Sequence, residues 1–243
     1  MRISRLFVPG DHAEHSRLSL DEDSAHYLRT VLRLKKGAEL VVFNGMDQEY
    51  AAVVSESHRD GVVLQLGAVR QRSVESSLDI HLAMGISRGE RMDLVMQKAV
   101  ELGVTRITPL FTEHCVVRLD EARRGQRTAH WQKIIRAACE QSGRNRLPRL
   151  DEPQTLKDFL RHSPTTGLFL DPAAEIGLAQ LTRPEASLVL LAGPEGGFAG
   201  HERESALKAG YRSVRLGPRV LRTETAALAA LVCVQCLWGD MGT

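Results

Sequence analysis

Aromatic residues make up only 5% of the chain, and it has just four cysteines, Cys115, Cys139, Cys233 and Cys236. Four thiols this scattered do not make a disulfide framework. Long apolar runs are missing too. No window approaches the roughly 18 uncharged apolar residues of a membrane span, and Met1–Phe7 lacks the apolar stretch of a signal peptide. A cytoplasmic, reduced protein is therefore the expectation. Charge of one sign is not in excess, with Lys+Arg 32 against Asp+Glu 30. The apolar share of 43% and charged share of 26% over 243 residues exclude disordered, collagen-like and coiled-coil classes. That length suits one large domain or two smaller ones.

Several catalytic signatures are also absent. No Gly-x-Gly-x-x-Gly follows a strand pattern, which leaves a Rossmann dinucleotide site unsupported. There is no Walker A loop and no Gly-x-Ser-x-Gly elbow. The nine histidines form no clustered ligand set, and Cys233-x-x-Cys236 lies in an apolar stretch with no second pair. Buried small residues explain that spacing better than zinc does, and no metal is expected.

The residues that are present divide the chain. Glu39–Phe43, Tyr50–Val54 and Gly61–Leu66 read as short strands, with Asn44-Gly45 as a hairpin turn. Ser24–Leu34 reads as a helix that sets Tyr27, Leu28, Val31 and Leu32 on one face, with Arg29 and Arg33 on another. The polar stretch from Gln71 to Ser77 reads as a linker. From Leu78 the period changes. Strands are expected at Ile80–Met84, Val104–Thr108, Gly167–Leu170, Leu188–Ala192 and Val214–Leu216. Helices are expected from a capping box at Ser87-Arg88-Gly89-Glu90 to Gly103, over Thr128–Ser142, near Leu156–His162 and His201–Ala209, and over Thr223–Trp238. Strands alternating with helices predict an α/β domain on a parallel sheet.

Ligands of open α/β sheets bind at the carboxyl ends of strands. Two such ends carry unusual loops, Gly193-Pro194-Glu195-Gly196-Gly197-Phe198 and Leu216-Gly217-Pro218-Arg219-Val220-Leu221-Arg222-Thr223-Glu224. Glycines there let backbone approach a ligand closely. Either loop alone is better explained as a tight turn; two together, each holding an acid or an Arg–Glu pair, point to a site. Charge is also uneven. Arg118 to Arg149 holds nine basic and three acidic residues, whereas residues 151–204 hold four basic and nine acidic. A polyanion contact and a solvated Arg-rich surface both fit that pattern.

The two loops resemble the signature loops of the RsmE family. These are SPOUT-class, S-adenosylmethionine-dependent enzymes that methylate N3 of a uridine in 16S ribosomal RNA. Further blocks agree: Gly89–Asp93, Gln97–Val104, Trp131, Glu140–Arg144, Pro148, Arg5–Val8 and His26–Arg33. The likeness spans nearly the whole chain. It departs at His114-Cys115, where Arg-Ser is expected, and at Asp93, where Glu is commoner; neither position lies in the two loops.

The resemblance implies a PUA-like β-barrel over residues 1–72, a linker over 73–78, and a knotted SPOUT domain over 79–243 acting as a homodimer. It implies a cofactor site at Leu170, Gly193, Pro194, Glu195, Gly196, Gly197, Leu216, Gly217, Leu221 and Arg222. Uracil N3 carries a proton that must leave before it can attack a methyl group. Glu195 and Glu224 are the candidate bases, and Arg222 is the candidate donor to the charge that develops. For Glu224 an equal alternative is helix-start electrostatics. RNA contacts are expected at Arg5, Arg29, Arg33, Arg88, Arg124, Arg127, Lys133, Arg136, Arg144 and Arg146, facing rRNA or the small ribosomal subunit. Two other classes remain open: a non-catalytic RNA-binding or ribosome-assembly protein that keeps the fold, and an α/β enzyme acting on a small nucleotide.

Overall fold

The computed structural model describes residues 3–59, 61–116, 121–162, 167–184 and 187–242, without the side chains of residues 121 and 122. Arg118 and Asp120, counted above in the cationic stretch, lie outside the described residues. The chain forms two compact units. The first runs to Glu75 and also takes in Cys139–Leu147; the second holds Ser76–Ala138 and everything from Pro148 onward. No turn or composition signal in the sequence marks the Cys139–Leu147 insertion.

The first unit contains β1 (Ser4–Phe7), β2 (Arg17–Ser19), α1 (Glu22–Thr30), β3 (Glu39–Phe43), β4 (Gln48–His58) and β5 (Gly61–Gln71). They form one sheet in the order β1-β3-β4-β5-β2. β1 pairs with β3 in parallel, and the remaining ladders are antiparallel. Alternation sets the inner face. Tyr50, Ala52 and Val54 of β4 and Val62, Leu64 and Leu66 of β5 join Leu6, Leu40 and Val42 in the core, the period-two signature of a half-buried strand. β4 and β5 run further than the apolar runs suggest because the ladder continues through their polar ends. The hairpin expected at Asn44-Gly45 forms through a longer loop, from Phe43 at the end of β3 to Gln48 at the start of β4, with Gly45 at φ 85° and Asp47 at φ 71°.

Helix α1 starts and stops earlier than its apolar spacing predicts. Asp21 caps it, its carboxylate accepting the Ser24 N–H at 2.7 Å, and the helix ends at Thr30. Arg33 lies beyond the end at φ 54°, so Arg29 and Arg33 do not share a helical face. Val31, expected inside, is exposed.

The first unit also encloses a buried polar network. Arg5 donates to Glu49 at 2.8 Å and to the Asn145 side-chain oxygen at 2.5 Å. Its guanidinium lies 4.9 Å from the Phe43 ring centre. Arg144 donates through Nε to Glu75 at 2.9 Å. Glu140 accepts from the Phe7 N–H at 3.1 Å and the Tyr27 hydroxyl at 2.9 Å. Burial first, then the Glu140 carboxylate beside it, pushes the Tyr27 phenol up to about 12. Together these bonds tie Cys139–Leu147 to the sheet.

The second unit contains β6 (Ile80–Gly85), α2 (Gly89–Glu101), β7 (Arg106–Phe111), α3 (Glu121–Ser142), β8 (Arg149–Leu150), β9 (Gln154–Thr155) and α4 (Leu156–His162). It continues with β10 (Gly167–Leu170), β11 (Leu188–Ala192), α5 (Gly200–Lys208), β12 (Tyr211–Val214) and α6 (Thr223–Trp238). The last residues of α3 belong to the first unit. The sheet is wholly parallel, in the order β12-β10-β11-β6-β7-β8, with β9 also on β7.

Every residue of β6 and β11 is buried, as central parallel strands covered on both faces must be. Val189 and Leu191 pack with Leu156, Phe159 and Ala206 from α4 and α5. α6 lies against β11 and against α2. Gln235, buried in α6, donates to the Leu102 carbonyl at 2.9 Å and accepts from the Ser76 hydroxyl at 2.8 Å. A second buried polar set joins β6 to β7. His81 lies 2.7 Å from the Thr108 hydroxyl, which donates to Asp151 at 2.5 Å. Burial, reinforced by Arg106, pushes the His81 imidazole down to about 4, so it sits neutral in the core at neutral pH.

Four local expectations fail. Strand β7 spans Arg106–Phe111 rather than Val104–Thr108, and α3 begins at Glu121 rather than near Thr128. The capping box at the start of α2 does not form: Arg88 is the N-cap and makes no side-chain cap bond, while the Ser87 hydroxyl turns back to the Gly85 carbonyl. The last strand is Tyr211–Val214 rather than Val214–Leu216. It must run beside β10, whose Gly167–Leu170 pair with Tyr211–Val214, and that register leaves Leu216 in the loop.

Candidate active site

Because β12, β10 and β11 are parallel neighbours, their carboxyl ends deliver three loops to one place. A cavity of about 530 Å³ opens there, within the second unit. Leu170, Gly193, Pro194, Glu195, Gly196 and Gly197 line it, as do Leu216, Gly217, Leu221 and Arg222. All ten positions expected around a cofactor thus share one cavity.

Close backbone contact shapes the walls. Gly197 and Gly217 hold φ of 69° and 76°, a region that favours glycine. A Cβ on Gly85, at the end of β6, would stand 2.5 Å from Pro194 Cδ and N. The 193–198 loop therefore lies directly on the β6 terminus, and only glycine admits it. The Thr223 hydroxyl donates to the Gly193 carbonyl, which ties the two glycine-bearing loops together. Phe169 and Phe198 meet edge to face with centroids 5.4 Å apart and supply an apolar wall.

Charged groups line the rest. Glu195 Oε1 accepts from the Arg88 N–H at 3.1 Å and from Arg91 Nη1 at 3.1 Å. Burial pushes this carboxyl up, but those donors and its own backbone N–H outweigh it and hold it below the usual carboxylate range. Oε2 is buried with no hydrogen-bond partner among the described residues. Asp171, at the end of β10, pairs with Arg203 of α5 and accepts the Ala173 N–H at 2.9 Å. Arg219 and Arg222 make no ion pair among the described residues and stand exposed in the cavity wall.

Glu224 behaves differently from the other candidates. It occupies the first turn of α6 and is not among the residues lining the cavity. Its place suits a carboxylate meeting the positive end of the helix dipole, and its Oε2, like that of Glu195, is buried with no hydrogen-bond partner among the described residues. Arg91, Asp171, Arg203, Arg219 and Thr223 line the cavity and were missed as site residues. Arg219 and Thr223 stand inside a quoted loop, so proximity to the glycines was the available signal; Asp171 follows a strand end directly.

The positions expected to meet RNA separate by burial. Arg5 and Arg144 are 9% and 3% exposed and held in the ion pairs described above, so a phosphate-neutralising role does not fit either. A surface-patch reading counted their charge but not the carboxylates that take it up. Arg146 is exposed and paired with Asp47. Arg29 bonds the Arg59 carbonyl at 3.2 Å, and Arg33 and Arg88 are exposed. On α3, Arg124, Lys133 and Arg136 are exposed and Arg127 half-buried.

Of the two departures noted earlier, one touches the site. His114 Nδ1 lies 2.9 Å from the Gly196 carbonyl, and a Cβ on Gly196 would meet His114 Cβ at 2.6 Å. His114 therefore braces the 193–198 loop, a contact that its distance in sequence concealed. Asp93 bonds His130 of α3 at 2.9 Å. No cluster of metal-ligating side chains occurs among the described residues.

Comparison with known proteins decides the family. The RNA methyltransferase domain model matches residues 74–235, and the RNA methyltransferase PUA domain matches residues 20–67. The chain belongs to the RNA methyltransferase family. The RsmE resemblance read from the loops is thereby borne out. Ribosomal RNA small subunit methyltransferase E of Buchnera aphidicola is 33% identical over 99% of this chain and 98% of its own length. The same-named enzyme of Neisseria gonorrhoeae, solved bound to S-adenosyl methionine, superposes at a TM-score of 0.92 with 34% identity over 99% and 100% of the two chains. A Legionella pneumophila structure, described as a methyltransferase with bound SAM, reaches 0.96 with 39% identity over 99% and 100%. The α/β domain on a parallel sheet and the PUA-like N-terminal domain agree with this RNA methyltransferase family.

Proposed function

We propose that the chain is an S-adenosylmethionine-dependent methyltransferase that modifies N3 of a specific uridine in 16S rRNA, within the small ribosomal subunit. The observation that carries this reading is the single cavity shared by both glycine loops. The cavity fits the cofactor chemically. Its glycine-shaped walls admit close backbone contact, and the open Oε2 of Glu195 offers an acceptor to a cationic ligand. Leu170, Gly193, Gly197, Leu216, Gly217 and Leu221 would hold the cofactor through backbone groups and apolar contact. S-adenosylmethionine supplies an electrophilic methyl group on its sulfonium.

The protein's part is positioning and charge. Holding donor carbon and acceptor nitrogen at attack distance accelerates transfer strongly without covalent catalysis. Arg222, exposed in the cavity wall, donates to the uracil oxygens as negative charge develops on them. Glu195, ionised and tied to Arg88 and Arg91, is a weak base that fixes the loop and balances positive charge, so the N3 proton passes to solvent and Arg222 holds the charge it leaves on the base. N3 lies on the pairing edge, so the uridine enters unpaired or flipped. The exposed cations of α3, with Arg29, Arg33, Arg88 and Arg146, meet RNA phosphates.

The same reading has residues 1–72 as the RNA-binding domain, 73–78 as linker and 79–243 as the catalytic SPOUT domain, with the Cys139–Leu147 stretch of that range belonging to the first unit. It includes a trefoil knot in the SPOUT domain, as the RsmE resemblance implies. It includes a cytoplasmic homodimer joined through α6, whose exposed Val232 and Leu237 support an apolar contact. The test is to incubate the chain with isotope-labelled cofactor and small-subunit rRNA, then digest the RNA for mass spectrometry. One labelled 3-methyluridine is expected. Label on another atom, or none, would refute the assignment and favour the non-catalytic RNA-binding reading.

A further inference from the structure

The second unit has another opening, a groove of about 540 Å³ bounded by β7, α4 and α5. Phe111, Leu156 and Leu160 make its floor, and Lys157, Arg161 and His201 stand on its rim. Nothing in the reaction described above uses it. The Arg124 guanidinium lies 4.9 Å from the Phe111 ring centre, forming a cation–aromatic platform.

The charges around this floor are not equivalent. Glu202 faces the groove, with each of its oxygens held by one backbone N–H, from Glu113 and Ala199, at 2.9 Å. Arg161 pairs with Asp158 at 3.2 Å with both side chains at least half exposed. A pair of that kind contributes about 0.2–1 kcal/mol and exchanges readily for a phosphate. Glu113 lies 3.5 Å from His201. Lys157 is exposed and makes no ion pair among the described residues. An aromatic ring beside available cations is the arrangement that stacks unpaired bases and tracks their backbone. Helix α5 also links the two openings: Arg203 lines the cofactor cavity, while His201 and Ser205 line the groove.

We infer that the groove takes a single-stranded segment of the RNA substrate, one base against Phe111 and its phosphates against Lys157 and Arg161. This rests on the RNA methyltransferase reading and adds a contact remote from the methyl donor. Two variants test it in the full chain, Lys157→Glu with Arg161→Glu, and Phe111→Leu. Each is assayed on naked small-subunit rRNA and on assembled subunits, with S-adenosylmethionine affinity as the control for folding. The charge variant should raise KM for RNA about tenfold or more and flatten the salt dependence by about 1.4 in log–log slope, two phosphates' worth for a single strand. Phe111→Leu should raise KM about tenfold, and both should keep kcat and cofactor affinity within about twofold. An active wild type whose KM and salt slope do not move in the charge variant overturns the groove assignment alone. A wild type that methylates no RNA overturns the parent reading instead. A loss confined to assembled subunits assigns the groove to a protein partner and overturns this inference too.

Discussion

Arg222→Ala should lower kcat about 10²–10³-fold, the range seen when one preorganised donor to a developing oxyanion is removed. Affinity for S-adenosylmethionine should stay within about threefold, since Gly193, Gly197 and Gly217 shape the wall independently of that side chain. Arg222 is the N-cap of α6 but makes no side-chain cap bond, so its removal leaves the helix start intact. Arg222→Lys should recover only part of the rate, because an ammonium cannot reproduce the fixed planar donors of a guanidinium. Single-turnover methyl transfer with cofactor affinity measured separately checks this. Unchanged turnover would remove Arg222 from the chemistry; cofactor affinity falling by the same factor as kcat would move it to the binding site.

Arg5→Ala should cost the first unit about 3–5 kcal/mol, the usual consequence of removing one partner from a buried ion pair. Glu49, itself 5% exposed, would keep only the Asn145 amide, 3.3 Å away, against its charge. Replacing both members with apolar residues, Arg5→Met with Glu49→Leu, should recover much of the loss. Arg33→Ala, at an exposed position, should stay within about 0.5 kcal/mol and weaken RNA binding instead. Urea unfolding followed by a probe in the first unit distinguishes the two arginines. If Arg5→Ala kept its midpoint and lost RNA affinity, the surface reading of Arg5 would stand and the buried network would carry no weight.

Arg5 and Arg33 also show where sequence reading ends. Both are basic residues in the same N-terminal segment, and charge counts treat them alike. What separates them is Glu49 and Asn145, which only the folded sheet and the inserted Cys139–Leu147 segment bring to Arg5. Features whose physics is local were legible. The largely apolar runs of β6 and β11 read as strands of a parallel sheet, Asn44-Gly45 as a turn, and the glycine-bearing loops after β11 and β12 as a site. Features set by a partner far along the chain were not. Leu216 looked like strand until pairing with β10 fixed where β12 stops. Gly85 carried no visible signal, since its reason is Pro194 lying 2.5 Å from where a Cβ would be. His114 looked remote from the 193–198 loop, yet it lies against the Gly196 carbonyl. Ser87-Arg88-Gly89-Glu90 had the letters of a capping box, but Arg88 took the cap position and its N–H went to Glu195.

The most direct test of the account is a calorimetric titration of the chain with S-adenosylmethionine, alongside Thr223→Val and Thr223→Ser. If the two glycine loops form one methyl-donor site held shut by the Thr223 hydroxyl on the Gly193 carbonyl, the wild type binds the cofactor saturably. Loss of that bond, worth about 1 ± 0.5 kcal/mol, weakens the valine variant about two- to tenfold, and the serine variant matches the wild type. A wild-type chain that takes up no cofactor, or a valine variant that binds it undiminished, contradicts the account.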